Sequence, residues 1–489
     1  MIETILIANR GEIACRIIGT VQRLGLRSVA VYHFVDRHAP HVDLADIAVE
    51  IEADIPSAAY LDITQLLAVA ANTNADAIHP GYGFLAENPA FARAVVDNGR
   101  IFIGPTADVI ETMGDKIRAL EFAVAAGIAI APSVTDNDIE KLVAKAASLE
   151  FPLLIKAAAG GGGKGMRIAH TTDELADQVA ITQAEAKRSF LDDRIYIERF
   201  IEHPRHIEVQ VLGDGAGNVI HLFERECSIQ RRYQKIIEES PAPNLAPALR
   251  DQICAAAVTV ATAANYLNAG TVEFILAPND EFYFLEMNTR LQVEHPVTEA
   301  VTGIDLVEEQ IDIANGGGLR LRQQDITQLG WAIECRICAE RPDDDFRPAT
   351  GIARLIRLPQ GDQVRVDNGI GEGQTIGAAF DSMLAKLVVH GDDRATALAA
   401  CSDALHEYVI LGVDTNIEFL GRILHHEAFR RGDLHTGFMV EHAATLQAAP
   451  VDELDRDAIL LAAALATDRF QRTIYDVPAL HAAIGYWRN

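Results

Sequence analysis

FPLLIKAAAGGGGKGMRIAH, residues 151–170, places a glycine run and a lysine between two apolar stretches. The residues after the glycines decide the fold. A phosphate loop of the Walker A kind needs Gly six residues before its lysine, Ser or Thr directly after it, and then a helix. Here those two positions hold Ala158 and Gly165, and MRIAH reads as a second strand. A glycine run between two strands, Gly160 to Gly163 followed by Lys164, makes a flap instead. The backbone N–H groups of such a flap can close over phosphates. Lys156 ends the first strand, where a cation costs desolvation unless it meets an anion. Taken alone, the stretch reads equally well as a flexible hairpin with a surface lysine.

On the C-terminal side, DRIYIERFI (193–201) is another strand, which makes 131–202 a small β-rich domain. A helical stretch after MGDK (113–116) links it, over 113–130, to the preceding residues. There ETILIA (3–8), a helical periodicity over 12–25, SVAVYH (28–33), ADAIHPGYGF (75–84) and IFIG (101–104) alternate strand and helix. Residues 1–112 are therefore expected to form a doubly wound α/β domain. It carries no G-x-G-x-x-G, which argues against a dinucleotide fingerprint. Strands and helices mix from RHIEVQVLG (205–213) onward, so 203–445 reads as one large α+β domain. Residues 446–489 are Ala- and Asp-rich and read as a tail or the start of a further domain.

Within the large domain, EFILAPNDEFYFLEMN (273–288) is apolar and aromatic with a glutamate at each end. Pro278-Asn279-Asp280 reads as a tight turn between two strands. If the hairpin closes symmetrically, Glu273 and Glu286 lie opposite each other with Cβ atoms roughly 5 Å apart. Two carboxylates so placed in a half-buried sheet repel, and something positive is expected between them. Alternation adds Asn288 to this face, and the three offer oxygens to one hard cation. The same alternation predicts Phe282 and Phe284 on that face. In TRLQVEHPVTE, Arg290, Gln292 and Glu294 share one side of an extended segment, placed for an oxyanion and for proton transfer. Arg336 sits among apolar residues in a strand and is expected to be buried and paired, or functional.

Composition narrows the partners. Forty-two basic against 70 acidic residues give −28, which argues against nucleic acid or an anionic membrane. An anionic small substrate then needs a local basic cluster, and IQRRYQK (229–235) is one. Six cysteines in 489 residues fit reduced thiols, and the C-x-x-C of Cys335 and Cys338 lies in a strand-like run with no second ligand pair. His203 and His206 mimic a metal pair but have no further ligand nearby in sequence. No apolar run approaches a membrane span and the N-terminus lacks a signal-peptide pattern, so a cytoplasmic protein is expected.

Seven stretches carry a family resemblance: IANRGEIACRI, HPGYGFLAEN, MGDK, KAAAGGGGKGM, RHIEVQVLGDG, ERECSIQRRYQK and EMNTRLQVEHPVTE. In this order they resemble biotin carboxylase, the ATP-grasp component of acetyl-CoA, propionyl-CoA and related carboxylases, over about residues 1–445. The resemblance implies a three-domain ATP-grasp architecture: the N-terminal α/β domain, a small glycine-flap lid and a large C-terminal α+β domain. It implies that Lys116, Lys156, Gly162, Gly163, Glu198, Arg199, Ile201, His206, Gln230 and Tyr233 contact ATP, with Glu273 and Glu286. Glu273, Glu286 and Asn288 would hold Mg²⁺ or Mn²⁺. Lys235, Arg290 and the Val293 backbone would bind bicarbonate, Glu294 would be its base, Arg336 would stabilise the biotin enolate, and Tyr82 would lie by the biotin.

Three departures stand out: Tyr233 where histidine is common, Ala159 shortening the glycine run, and no Ala-Met-Lys-Met biotinylation site. A biotinylated carrier domain and a carboxyltransferase subunit, each on a separate chain or domain, are thus expected as partners, with a homodimer or larger complex. Another ATP-grasp ligase, or a nucleotide-binding regulatory subunit without catalysis, is the alternative. Lys235, Arg290, Glu294 and Arg336 argue against the latter.

Overall fold

The computed structural model describes residues 1–159, 165–448 and 456–464. Gly162, Gly163 and the rest of the glycine run lie outside them. The chain divides into a unit spanning Met1–Leu446 and a second spanning Gln447–Asn489, of which 456–464 is helical.

In the first unit, TILI forms β1 (Thr4–Ile7), buried at every position. Such a continuously apolar strand suits the middle of a parallel sheet covered on both sides. It pairs in parallel with β2 (Arg27–Tyr32) and β4 (Ala77–His79); β3 (Ile47–Glu50) and β5 (Ile101–Phe102) complete the order β3-β2-β1-β4-β5. Strand order therefore reverses between β1 and β4, and doubly wound sheets open their crevice at the carboxyl ends there. Asn9 follows β1 at that point, and its Nδ2 donates to the carbonyls of Pro80 (2.8 Å) and Tyr82 (2.7 Å). This fixes the loop that carries Tyr82.

The small sheet runs β6-β9-β7-β8, with β6 (Ser133–Thr135), β7 (Leu153–Ala157), β8 (Met166–Ala169) and β9 (Ile195–Arg199). β7 and β8 are antiparallel, Lys156 opposite Met166, so strands flank the glycine run on both sides. The helix Thr172–Phe190 covers this sheet with Leu175, Val179 and Ala186.

The rest is organised on one eight-stranded antiparallel sheet. It comprises β10 (Arg205–Asp214), β11 (Val219–Arg231), β12 (Gln234–Ser240), β13 (Leu267–Leu276), β14 (Phe282–Asn288), β15 (Trp331–Cys338) and the strands Val364–Asn368 and Met383–Gly391. The order is β14-β13-β10-β11-β12-β15, then Met383–Gly391 and Val364–Asn368. One face packs the apolar core; alternate residues of the other face the site. Cys335, on β15, lies in the core 3.7 Å from Cys401.

Glu273 and Glu286 do pair across β13 and β14, although the turn is not symmetric between them. Asp280 takes a left-handed φ of +66°, Leu276 pairs with Phe282, and a bulge next to Glu286 restores the register the glutamates need. The bulge also corrects the expected faces. Phe282 and Phe284 pack against Phe274 in the core, while Glu273, Glu286 and Asn288 stay together on the other side. Among the described residues, no helix is long and apolar enough to cross a membrane.

Candidate active site

One cavity of about 530 Å³ lies between the small sheet and the site face of the large one. The small sheet contributes Lys156 from β7 and Glu198, Arg199 and Ile201 from the end of β9. Lys156 is buried, as a strand-end lysine was expected not to be unless paired, and its Nζ sits 3.1 Å from Glu198. Lys116 enters from the first turn of the helix Lys116–Ala125. Arg199 leans outward, 3.3 Å from Glu150. Tyr233 stands on the rim, half exposed, with a left-handed φ of +65°. His206 and Gln230, from β10 and β11, meet below it, Gln230 Nε2 being 2.7 Å from His206 Nδ1.

The positive charge expected between the hairpin glutamates is present. Lys235 Nζ donates to Glu273 at 2.8 Å, and Lys116 lies 3.6 Å from Glu286. Glu273 is further held by His206 (2.9 Å), Asn288 (2.8 Å) and Gln292 (3.1 Å). Burial works to raise the Glu273 pKa, yet Lys235 and His206 outweigh it and hold the carboxyl well below its usual range. Glu286 is a third exposed toward the cavity. Glu273, Glu286 and Asn288 form an all-oxygen set of two carboxylates and an amide, which fits Mg²⁺ or Mn²⁺ rather than a soft metal.

Lys235 is the hub of the floor. Besides Glu273 it bonds Glu208 and, at 2.6 Å, Glu294. Burial disfavours its charge, but Glu208, Glu273 and Glu294 keep its pKa well above the ordinary lysine value. Glu294 is fully buried and accepts from Arg336 Nη2 at 2.9 Å on its other oxygen. Burial would raise its pKa; Lys235, Arg336 and Arg225 bring it well below the ordinary glutamate value instead. Arg336 also donates to Glu238 at 2.6 Å, and burial, offset in part by Arg336, leaves Glu238 at about 7.

Arg290, Gln292 and Glu294 converge, but not on an extended segment. Arg290 bonds Glu87 (2.8 Å), Asn288 (3.0 Å) and Gln292 (3.2 Å). The chain then turns, and Glu294 becomes the N-cap of the helix His295–Thr302 beneath the cavity. Val293 and Tyr82 line the cavity beside Arg336.

Sequence reading missed Glu208, Arg225, Glu238 and Glu87. The first three lie in otherwise apolar strands (RHIEVQV, LFEREC, KIIEES), so charged residues inside strand-like apolar runs were the available signal. Arg225, wholly buried, bonds Glu208 and, at 2.8 and 3.0 Å, Gln210, Thr298 and Thr271. It thereby fixes Glu208 under Lys235. Glu87 is contributed by a loop of the N-terminal domain, which no local pattern connects to Arg290.

His203 and His206 are not a pair: His206 belongs to the site, whereas His203 is exposed beside His435 and Glu441. Gly437 N–H donates to His435 Nδ1 at 3.2 Å, which leaves the proton on Nε2, facing Glu441 at 3.1 Å. That is a hydrogen-bonded cluster rather than a ready ligand set.

Comparison with known proteins gives a consistent result. Residues 1–110 match the family described as biotin carboxylase, N-terminal domain; 115–322 the carbamoyl-phosphate synthase L chain, ATP binding domain; and 334–441 the biotin carboxylase C-terminal domain. The chain is 47% identical to a pyruvate carboxylase subunit of Methanothermobacter thermautotrophicus, covering 100% of this chain and 99% of that one. It is 48% identical to biotin carboxylase 1 of Bacillus subtilis, with 90% and 98% covered. Against the alpha subunit of Glycine max mitochondrial methylcrotonoyl-CoA carboxylase it is 49% identical but spans 60% of that length. The biotin carboxylase domain of Hydrogenobacter thermophilus 2-oxoglutarate carboxylase, a dimer in complex with MgADP, ADP and bicarbonate, superposes with TM-score 0.89 at 43% identity, covering 92% and 100%. Campylobacter jejuni biotin carboxylase gives 0.88 at 40%, covering 90% and 99%.

Proposed function

This chain belongs to the biotin carboxylase family, and from that membership we propose that it uses ATP and bicarbonate to carboxylate biotin on a carrier protein through carboxyphosphate. One observation carries the reading: Lys235, Glu294 and Arg336 form a continuous hydrogen-bonded chain from the acidic hairpin to the Tyr82 side of the cavity. A nucleotide end, an anion end and a base are thus joined in one space.

The residues divide the work. Lys116, Lys156, Glu198, Arg199, Ile201, His206, Gln230 and Tyr233 surround the nucleotide, and Gly162 and Gly163 are assigned to its phosphates from the family resemblance alone. Glu273, Glu286 and Asn288 would hold magnesium or manganese, which supplies charge neutralisation on the phosphates. Lys235, Arg290 and the Val293 N–H take bicarbonate. With Lys235 and Arg336 both on its oxygens, Glu294 is a weak base in the substrate-free form. A bicarbonate that takes over those donors raises the carboxylate's proton affinity, so it turns basic when the substrate is in place. Attack of a bicarbonate oxygen on the γ-phosphate expels ADP and gives carboxyphosphate, which splits into CO₂ and phosphate beside the biotin ureido nitrogen. The phosphate takes the ureido proton, and Arg336, once free of Glu294, stabilises the enolate oxygen whose nitrogen takes up the CO₂.

The carrier and a carboxyltransferase are separate partners in this reading, and a dimer is the expected assembly. Relatives of full and partial length differ in the acceptor they name, pyruvate or an acyl-CoA, and either is served by the same carboxybiotin.

The test is carboxybiotin formation with free biotin and with a biotinylated carrier domain. The carrier should be used far better at equal concentration, because docking raises effective concentration. Equal use of free biotin, or ATP hydrolysis that ignores bicarbonate and both forms of biotin, would favour another ATP-grasp ligase. In the same assay Glu286→Gln should demand about tenfold more magnesium while costing little stability, since it relieves a repelling pair. An unchanged magnesium requirement would remove Glu286 from the metal set.

A further inference from the structure

Lys386 lies on the strand Met383–Gly391 directly across from Arg336, and its side chain is completely buried. Its ammonium donates to the Val293 carbonyl at 2.9 Å. Glu12 at 3.2 Å and Asp367 at 3.7 Å balance the charge. Burial works to strip the proton from Lys386, but Glu12, Glu334 and Asp367 outweigh it and hold its pKa above the ordinary lysine value. A buried charged lysine is costly to fold around, and a neutral donor would satisfy a carbonyl. What distinguishes this one is the carbonyl it has been placed against.

Val293 sits between Gln292, which bonds Glu273, and Glu294, which bonds Lys235 and Arg336. The Gln292 carbonyl is itself taken by His295 Nδ1 at 2.8 Å, so that nitrogen carries the ring's proton. Burial keeps His295 neutral. Both peptide planes flanking Val293 are therefore held by their carbonyls, one by His295 and the other by Lys386. In a planar trans peptide the N–H points opposite to the C=O. Withdrawing the Gln292 carbonyl toward His295 turns the Val293 N–H the other way. Fixing the next plane fixes where Glu294 starts.

We propose that Lys386 is a positioning residue for the bicarbonate half of the reaction: by holding the Val293 carbonyl it fixes the peptide plane that leads into Glu294 and sets Glu294 between Lys235 and Arg336, while His295, on the Gln292 carbonyl, aims the Val293 N–H at the anion. This rests on the bicarbonate reading above. It also gives the NRGE stretch a role that no chemistry had absorbed. Glu12 supplies the counter-charge for Lys386 from the first helix of the chain, and Asn9 holds the loop of Tyr82, whose ring centre lies 5.9 Å from the Lys386 ammonium.

The experiment compares the full-length wild type, Lys386→Met and the double variant Lys386→Met/Glu12→Gln. Steady-state ATP hydrolysis is followed against bicarbonate, with ATP affinity and melting temperature measured alongside. Lys386→Met leaves Glu12 buried without its partner and is expected to melt early. The double variant removes both charges, and Asp367 keeps Arg365 at 2.8 Å, so its melting temperature should return toward wild type. In both, the KM for bicarbonate should stay raised at least about tenfold while ATP affinity changes by less than about twofold, because the Val293 carbonyl still lacks its donor. Recovery of the bicarbonate KM together with stability would reduce Lys386 to a structural ion pair and overturn the proposal. So would failure of both variants to fold, or a loss shared equally by ATP and bicarbonate. A wild-type enzyme whose ATP hydrolysis does not depend on bicarbonate would overturn the underlying reading instead, and this inference with it.

Discussion

Glu294→Ala should slow bicarbonate-dependent ATP hydrolysis by about 10²–10⁴-fold, the usual worth of a general base, while leaving ATP affinity within about twofold. The asymmetry follows from position. Glu294 has no exposed surface and does not border the nucleotide end of the cavity; its contacts are Lys235 and Arg336. Removing it frees two cations at the anion end, so bicarbonate should bind no worse, and tighter binding with a collapsed kcat is the expected split. Glu294→Gln keeps the size and one acceptor and should show the same kinetic loss, which separates the base from a spacer. A variant whose ATP affinity falls along with its rate would place Glu294 in nucleotide binding and end its assignment as the base. So would either variant retaining more than about a tenth of the rate.

How much of this was legible beforehand depended on whether a local period carried it. The parallel sheet of the first hundred residues was read from apolar runs such as TILI, because a strand buried on both faces leaves no polar alternation. The strand–glycine–strand order around Lys164 followed from two positions, Ala158 and Gly165, and β7 and β8 bear it out at its flanks. The Glu273–Glu286 pairing was correct for an incomplete reason. The turn chemistry of Pro278 to Asp280 suggested symmetric closure, whereas the chain closes one residue off and recovers through a bulge that no propensity announces. That bulge is why Phe282 and Phe284 ended in the core.

The floor of the site was illegible for another cause. Glu208, Arg225 and Glu238 are charged residues in strands, and a charge in a strand reads as a solvated face until its partner is known. Their charged partners lie 17 to 98 positions away, as with Arg225 to Glu208 and Arg336 to Glu238. Only the sheet order β10-β11-β12-β15 brings them side by side. Lys386 was hidden the same way, its acceptor being 93 residues distant and a main-chain carbonyl besides.

Lys235→Met should destabilise the protein by about 3–5 kcal/mol, the range for a buried pair that loses one partner, and abolish turnover. Lys235 is nearly buried and faces Glu208, Glu273 and Glu294, so its loss leaves three carboxylates under one cavity floor. Arg225 still holds Glu208 and Arg336 still holds Glu294, but Glu273 keeps only His206 as a charged partner. The deficit should depend on pH, and its sign is fixed by the carboxylates. In the wild type Glu273 and Glu294 have pKa values below their ordinary range, so their stabilising contribution is present above that range and is lost as pH falls through the folded values. Without Lys235 burial dominates, and their folded pKa values rise above the unfolded ones. The carboxylates then oppose folding at neutral pH and cease to do so on protonation. Lys235 keeps its proton throughout this window, its own pKa being raised. The gap in melting temperature between wild type and Lys235→Met should accordingly be largest near pH 8 and shrink as pH is lowered to about 5. Adding Glu208→Gln should recover part of it at pH 8 and almost none at pH 5. A gap that is constant with pH, or that widens on acidification, would mean that Lys235 stabilises by packing its methylenes rather than by gathering three carboxylates around one charge.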